Sequence, residues 1–404
     1  MIQVAAKTAV AIRQPRVATK LRFRWHIGAN DEVMDITRRV ITVPTVSRSI
    51  SALLSGGRVS GMKLSLVNTD NLLSPDSGYM ASKTAQTVML SKVTMEQGIQ
   101  AADETWEYVP IYTGLVREID YLPGRAELAL VDPLSAAGNR ALPETITLGV
   151  PGSDYEWPSD AIQQLYTDHA PFVTFDSGSF DHADGIHKDT GWSIMGEIKE
   201  GTTLAAAVNA VAASGLGQVI AQEDGTVSFV TEFPRISGNR IRIADEFPDK
   251  FDSSRAAGWR MKRGLPLSAT ELRVAYQGTS VGYRDTTKEG DIGREAKTVP
   301  CPYIRFGRSA FLAARILYES IQNLPMEINF LVGARGLLVQ LGDRVRVHDP
   351  ISDTARTVRV VAKRWHPKGV KLATVVDGHE DTIIKGEFAS WDSTTWGDAD
   401  EVLL

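Results

Sequence analysis

The chain lacks the features that would place it in several large protein classes. It has one cysteine, Cys301, so no disulfide can form within it and stability must come from burial or from partners. No apolar run approaches the ~20 residues needed to span a bilayer. The stretch Met1 to Val10 has no apolar centre of a secretory signal. A soluble protein made in the cytoplasm is expected. Basic excess is missing too: 44 Lys and Arg face 49 Asp and Glu, for a net charge of −5. That argues against a surface built to wrap duplex DNA, which must neutralise phosphates. No Gly-x-Ser-x-Gly elbow, Walker loop or His-Glu-x-x-His helix occurs. Gly215-Leu216-Gly217 lacks the third glycine of a dinucleotide site and follows no strand.

What is present is enough for a real core. The 404 residues exceed one ordinary domain, and the 43% hydrophobic and 23% charged fractions are near globular averages. Charge is uneven along the chain. Residues 1–30 carry Lys7, Arg13, Arg16, Lys20, Arg22 and Arg24 and no acidic side chain. From Asp377 to Leu404 the chain is strongly acidic, with Lys385 its only Lys or Arg. Oppositely charged ends can steer subunits into a head-to-tail stack; solvated tails are the simpler reading. Trp391 and Trp396 lie in the acidic stretch, where free exposure of two large rings is unfavourable, so the tail is expected to dock on a neighbouring chain.

The first third reads as β. Leu21, Phe23 and Trp25 alternate with Arg22, Arg24 and His26, and Met62, Leu64 and Leu66 alternate with Lys63 and Ser65. Asn68-Thr69-Asp70-Asn71 makes a turn. Further strands are expected at 87–94, 108–121 and 125–131, with Pro123-Gly124 as a hairpin turn and Asp132-Pro133 as a stop. Such a series suggests a small barrel or sandwich. Residues 133–200 read as irregular, with one short helix over Ser159–Thr167. A helix is expected over Leu204–Ala213, capped by Thr202 or Thr203 and stopped by Gly215, followed by a hairpin around Glu223-Asp224-Gly225.

The last third returns to β. Leu272, Val274 and Tyr276 alternate with polar neighbours, a polar loop spans 278–297, and a helix over 307–323 aligns Ala310, Ala313, Ala314, Leu317 and Ile321. Strands are expected at 326–332, 343–348, 355–365 and 370–376. The hairpins Val116–Asp132 and Val361–Asp377 echo one another, each returning through Leu-Ala and apolar residues to Asp.

Few residues suggest chemistry. Among seven histidines, the best metal candidate is Asp181-His182-Ala183-Asp184-Gly185-Ile186-His187, with Asp168-His169 nearby. Turn-rich loops attract these residue types anyway, and a plain loop is the favoured reading. Asn68, Asp70 and Asn71 lack the closing Glu of a calcium loop. Acidic pairs such as Glu96 with Asp103 and Glu104, or Asp349 with Asp353, do not single out a glycosidase couple. Cys301, between Pro300 and Pro302, has no nucleophile motif.

Three stretches in order resemble the hub proteins of phage tails, the family of the T4 baseplate hub and its relatives in siphophages and contractile injection systems. They are Gly61–Pro75, Pro110–Arg117, and Pro302-Tyr303-Ile304 with Ala310–Leu317 and Leu341-Gly342-Asp343-Arg344-Val345-Arg346-Val347. The helix Leu204–Ala213 with its Asp224-Gly225 hairpin looks like an insert common in these hubs. The likeness covers about two thirds of the chain by arrangement, and each motif alone is generic.

The resemblance implies a mainly β fold with an α+β insert: two similar small β-barrels plus accessory domains. The expected division is an N-terminal arm (1–18), a first barrel (19–132), an irregular connection (133–200) and an α+β insert (201–265). A second barrel with its packed helix (266–385) and an acidic tail (386–404) follow. It further implies a homotrimer in the virion tail tip whose six near-equivalent barrels join a sixfold tube to a threefold tip. DNA and tape-measure protein would pass through the lumen without specific binding. Expected partners are the tail tube or distal tail protein, the tape-measure protein, and tip, fibre or spike proteins. No catalytic role, cofactor, metal or stable membrane insertion is expected. Two readings from other classes remain: a tail-associated cell-wall hydrolase, which needs convergent carboxylates in a cleft, and a receptor- or carbohydrate-binding tail protein.

Overall fold

The computed structural model describes residues 18–27, 32–50, 58–59, 61–76, 88–101, 103–232, 257–263, 269–322, 326–332, 334–349, 354–366 and 369–376, with Ala5, Thr8, Leu54 and Lys83 besides. The rest of the arm 1–18, and everything from Asp377 onward including Trp391 and Trp396, lie outside the described residues.

The first eight strands are β1 (Thr19–Ile27), β2 (Glu32–Asp35), β3 (Val46–Ser49), β4 (Arg58–Val59), β5 (Met62–Val67), β6 (Lys92–Gln100), β7 (Trp106–Leu122) and β8 (Arg125–Val131). Six of them form an antiparallel sheet in the order β2-β1-β6-β7-β8-β5. Period-two alternation sets its faces: Phe23, Trp25 and Ile27, and Met62, Leu64 and Leu66, are buried, while Lys20, Arg22 and Arg24 face outward. Pro123-Gly124 turns the β7–β8 hairpin, with Gly124 at φ 72°. The sheet curls until the segment after β2 reaches β5. There Val40 bridges Leu66, and the Ile41 N–H donates to the Ser65 carbonyl at 2.9 Å.

The next elements are α1 (Pro133–Gly138), β9 (Ile146–Leu148), α2 (Pro158–His169), β10 (Thr174–Phe175), α3 (Ser177–Thr190), β11 (Gly196–Ile198), α4 (Leu204–Ser214), β12 (Gly217–Ala221) and β13 (Thr226–Thr231). The region expected to be irregular, 133–200, therefore holds three helices. Its Gly, Asp, Ser and Pro residues punctuate helices rather than fill loops. The Asp132 carboxylate accepts from the N–H groups of Leu134 and Ser135, at 3.0 and 3.1 Å. Pro133 and Pro158 occupy first turns, and Gly191 closes α3 in the left-handed region at φ 63°. α4 starts at Thr203, whose Oγ1 accepts from Ala206 N–H, and stops at Gly215, as its sequence indicates. The hairpin β12–β13 turns at Glu223-Asp224-Gly225. One cluster that includes Ile162, Leu165, Phe180, Val208 and Phe229 unites 133–200 with the hairpin. The insert is thus larger than 201–265 at its start.

It is also shorter at its end. β14 (Ala257–Arg263) joins a second large sheet with β18 (Met326–Val332), β19 (Arg344–Asp349), β20 (Thr354–His366) and β21 (Gly369–Val376). Its order is β14-β18-β21-β20-β3-β4, with β19 also on β20. β3 and β4, from within the expected first barrel, complete it: Val46 pairs with Trp365 and Ser49 with Ala362. The echoing hairpins are β7–β8 and β20–β21, each bulged near its start, between Val116 and Glu118 and between Val360 and Ala362.

The supposed polar loop 278–297 contains β16 (Thr279–Arg284) and α5 (Thr286–Ile292), and leads into β17 (Ala296–Pro300). With β15 (Glu271–Tyr276) these strands make a small sheet, β16-β15-β17. The helix α6 (Gly307–Gln322) lies on this sheet rather than on a barrel, burying Ala310, Ala313, Ala314 and Leu317 against Leu272, Val274 and Val299. The two large sheets share one core, in which Phe23, Trp25, Leu64 and Leu128 belong to the same cluster as Val345, Val358, Val360 and Trp365. The architecture is mainly β, and the helices α1 to α6 lie in the insert and beside the small sheet.

Candidate functional site

The residues with candidate chemistry do not converge. The stretch Asp181–His187 is helical, inside α3, not a loop. His182 and His187 are five residues apart, about 140° around a helix, so they do not share a face. His187 is buried, its Nε2 lies 3.0 Å from the Gly215 carbonyl, and burial lowers its pKa from 6.5 to about 4. In that neutral form Nε2–H donates to the carbonyl. Asp184 accepts from Lys188 at 2.7 Å and from Ser159 at 3.3 Å. Asp168 is taken up by Tyr155 and Gln164, at 2.9 and 2.8 Å. Among the described residues no three His, Cys, Asp or Glu side chains stand together as metal ligands.

Glu96 accepts from Arg22 and Arg24 on the outer face of the first sheet, while Asp103 accepts from Thr105 in a turn. Asp353 lies outside the described residues. Asp70 pairs with Arg39 at 2.6 Å, which holds its carboxyl down at about 2 and ties the turn to the segment after β2, and Asn68 accepts from Leu73 N–H within the turn. Cys301 is fully buried, and burial pushes its thiol up to about 12, far from a reactive thiolate.

Two features stand out that the sequence did not announce. The first is a seam where the insert meets both large sheets. Glu223, in the β12–β13 turn, sits between Arg48 of β3 and Lys363 of β20, its Oε1 3.2 Å from Arg48 Nη1 and 3.0 Å from Lys363 Nζ. Burial alone would raise the Glu223 pKa, but Lys363 and Arg48 outweigh it and hold the carboxyl below its ordinary range. Thr113 Oγ1 of β7 donates to the Glu223 carbonyl at 2.9 Å. Two glycines permit this approach. A Cβ on Gly225 (φ 87°) would lie 2.7 Å from Thr113, and one on Gly342 (φ 85°) would lie 2.8 Å from Val230 of β13. Trp365 Nε1 donates to Gln97 Oε1 at 2.8 Å, tying the two large sheets. The available sequence signal was Lys363, two residues before Trp365 on the buried row of an apolar strand.

The second feature is one end of the first sheet. Leu115 of β7 pairs with Lys92, where β6 begins, yet β7 continues to Leu122, paired there with β8, which in turn pairs with β5. A three-stranded arm therefore projects beyond β1 and β6. Val67, Tyr121 and Leu122 are exposed at its tip, with Ile41 beside it at 51%. Met89 and Leu90 are exposed in the turn before β6, and Val33 in the row next to the end of β2. Seven of the twelve large apolar residues exposed among the described residues lie at this end. Leu90 also holds a left-handed φ of 63°, uncommon for a bulky side chain. Among the described residues no helix is long and apolar enough to cross a membrane.

No family model matches the chain, and no curated protein matches it. Among solved structures the chain is similar to a tail protein from Neisseria meningitidis MC58, at 13% identity, covering 88% of this chain and 96% of that one, with a TM-score of 0.48. It is also similar to a tail protein of prophage MuSo2 from Shewanella oneidensis (10% identity, 89% and 98% covered, TM-score 0.47). A third likeness is to prophage tail protein gp18 from Listeria monocytogenes EGD-e (11% identity, 88% and 94% covered, TM-score 0.46).

Proposed function

We propose that this chain is a structural hub of a phage tail tip or baseplate, a virion component and not an enzyme. Three copies form a ring that joins the sixfold tail tube to the threefold tip. Each protomer contributes its two large sheets as barrel-like units, and the ring surrounds the channel for DNA and tape-measure protein. Tail-tube or distal tail protein adjoins one side of the ring, and tip, fibre or spike protein the other. The net charge of −5 suits a passage that must not hold DNA, because unneutralised negative charge repels phosphate.

The observation that carries the assembly reading is the projecting arm of the first sheet, with Val67 and Leu122 exposed on one face of its tip, Tyr121 exposed on the other, and Ile41 exposed beside it. Apolar side chains exposed on both faces of a sheet end suit a partner that wraps that end. The sequence resemblance to tail hubs supplies the particular assembly.

The test is the solution mass of the purified chain by light scattering, with images of the peak. A trimer of about 130 kDa, three times the 44.1 kDa chain, with an annular outline is expected. Leu122→Asp is expected to reduce it to monomer without loss of its thermal transition. A wild-type chain that stays monomeric at high concentration, and also when mixed with its tail-tube neighbour, would refute the ring.

A further inference from the structure

The seam between insert and sheets holds a small cavity, mostly apolar in its lining, whose three charged side chains are unevenly satisfied. Arg48, Glu223 and Lys363 are nearly sealed from solvent, with side chains 3%, 3% and 6% exposed. Lys363 is fully satisfied: its three protons go to Glu223 Oε1, to the Leu337 carbonyl at 3.1 Å and to the Val339 carbonyl at 2.5 Å. Its neighbours are not. Glu223 Oε2 and Arg48 Nε are buried without a hydrogen bond, and Arg48 Nη1 meets Glu223 Oε1 only as an ion pair. Arg48, Glu223 and Lys363 line a cavity with Val46, Pro110 and Trp365, and the space open to the centre of a water molecule there is about 10 Å³. That is room for about one water.

We propose that this cavity is a binding site for a single water molecule, which accepts a hydrogen bond from Arg48 and donates one to Glu223 Oε2. The charges select the ligand. A metal cation or ammonium would sit against the Arg48 and Lys363 cations. A halide can accept from Arg48 but has no proton to give the carboxylate. Water does both, and supplies what the two orphaned groups need. The insert is then held to the second sheet through a charge–water–charge chain, and Thr113 holds the same turn to the first sheet.

The test uses the full chain. In crystals grown with bromide, one light-atom peak is expected within hydrogen-bond reach of Arg48 and Glu223 Oε2, with no anomalous bromide signal. Bromide in the cavity, or a cavity with no density, overturns the proposal. Val46→Ile tests the same point without crystals, because its added methyl group takes the water's place. If the site is hydrated, the variant strands both polar groups and the folding equilibrium falls by about tenfold. A gain in stability would mean the cavity is dry. Overpacking also destabilises, so the substitution is repeated in an Arg48→Met, Glu223→Leu, Lys363→Met background, which has no polar group to hydrate. The penalty is expected to vanish there, and its persistence would assign it to strain and refute the water site.

Discussion

The core of the insert and the core shared by the two large sheets are built on opposite plans. The insert's buried cluster draws on residues 137 to 229, and among the described residues Tyr303 is the one side chain from outside the insert packed against it. The shared core runs from Phe23 to Val370, and β3 crosses from the first third of the chain to pair with β20 near its end. The first plan is local, so its helices and hairpin can form their contacts while the chain between them is short. The second needs pairings across most of the chain, each closing a long loop before it is rewarded. Where the two plans meet, Ile220 and Val230 of the insert's hairpin pack into the shared core, and a carboxylate from the local body is set between two cations of the non-local one.

Separating the two bodies is the harshest way to test this contrast. A fragment of residues 133–232 is expected to keep a cooperative thermal transition by circular dichroism. A fragment of residues 19–132 is not, because β3 loses its partner and the shared core loses one of its two sheets. The reverse result would break the comparison. At the seam, Glu223→Ala leaves Arg48 and Lys363 buried without their counter-charge and should cost about 3–5 kcal/mol in urea denaturation. A cost below about 1 kcal/mol would mean that the two bodies barely depend on this contact.

Acid should act on the insert ahead of the sheets. The folded chain keeps His187 neutral down to about pH 4, while an unfolded chain protonates it below about 6.5. The unfolded state takes up the extra proton first, so stability falls as pH drops from about 6.5 to about 4, by about 3 kcal/mol in all. Titration of His187 by NMR checks this, and a midpoint near 6.5 would remove the effect. Gly225→Ala forces a left-handed residue against Thr113 and should cost about 1–2 kcal/mol, felt at the seam and not in the insert's own core. The smallest effect is expected for Thr203→Ala, about 1 kcal/mol for the lost cap on α4, measured by hydrogen exchange of that helix.

Much of the strand order was legible because it rests on local pattern. β1, β5, β7, β8 and the closing strands announce themselves by alternation, and Pro123-Gly124 and Asp224-Gly225 by turn chemistry. The region 133–200 was misread for an equally physical reason. Pro, Gly, Asp and Ser serve both as loop formers and as helix boundaries, and only the hydrogen bonds of Asp132 and the left-handed Gly191 distinguish the two uses. The stretch Asp181–His187 failed as a site for a related reason: coiled into α3, its two histidines point about 140° apart.

The sequence by itself determined that the chain is β-rich, that one face of each alternating strand is buried, where α4 and its hairpin lie, and that no disulfide staples it. Those properties follow from side-chain period, turn residues and composition, which act within a few residues of one another. Tertiary structure alone decided that β3 and β4 serve the second sheet, that α6 covers a small sheet of its own, and that Glu223 meets Arg48 and Lys363. Each of those outcomes depends on which distant surfaces meet, and a row of alternating residues specifies the face to be buried without naming what buries it.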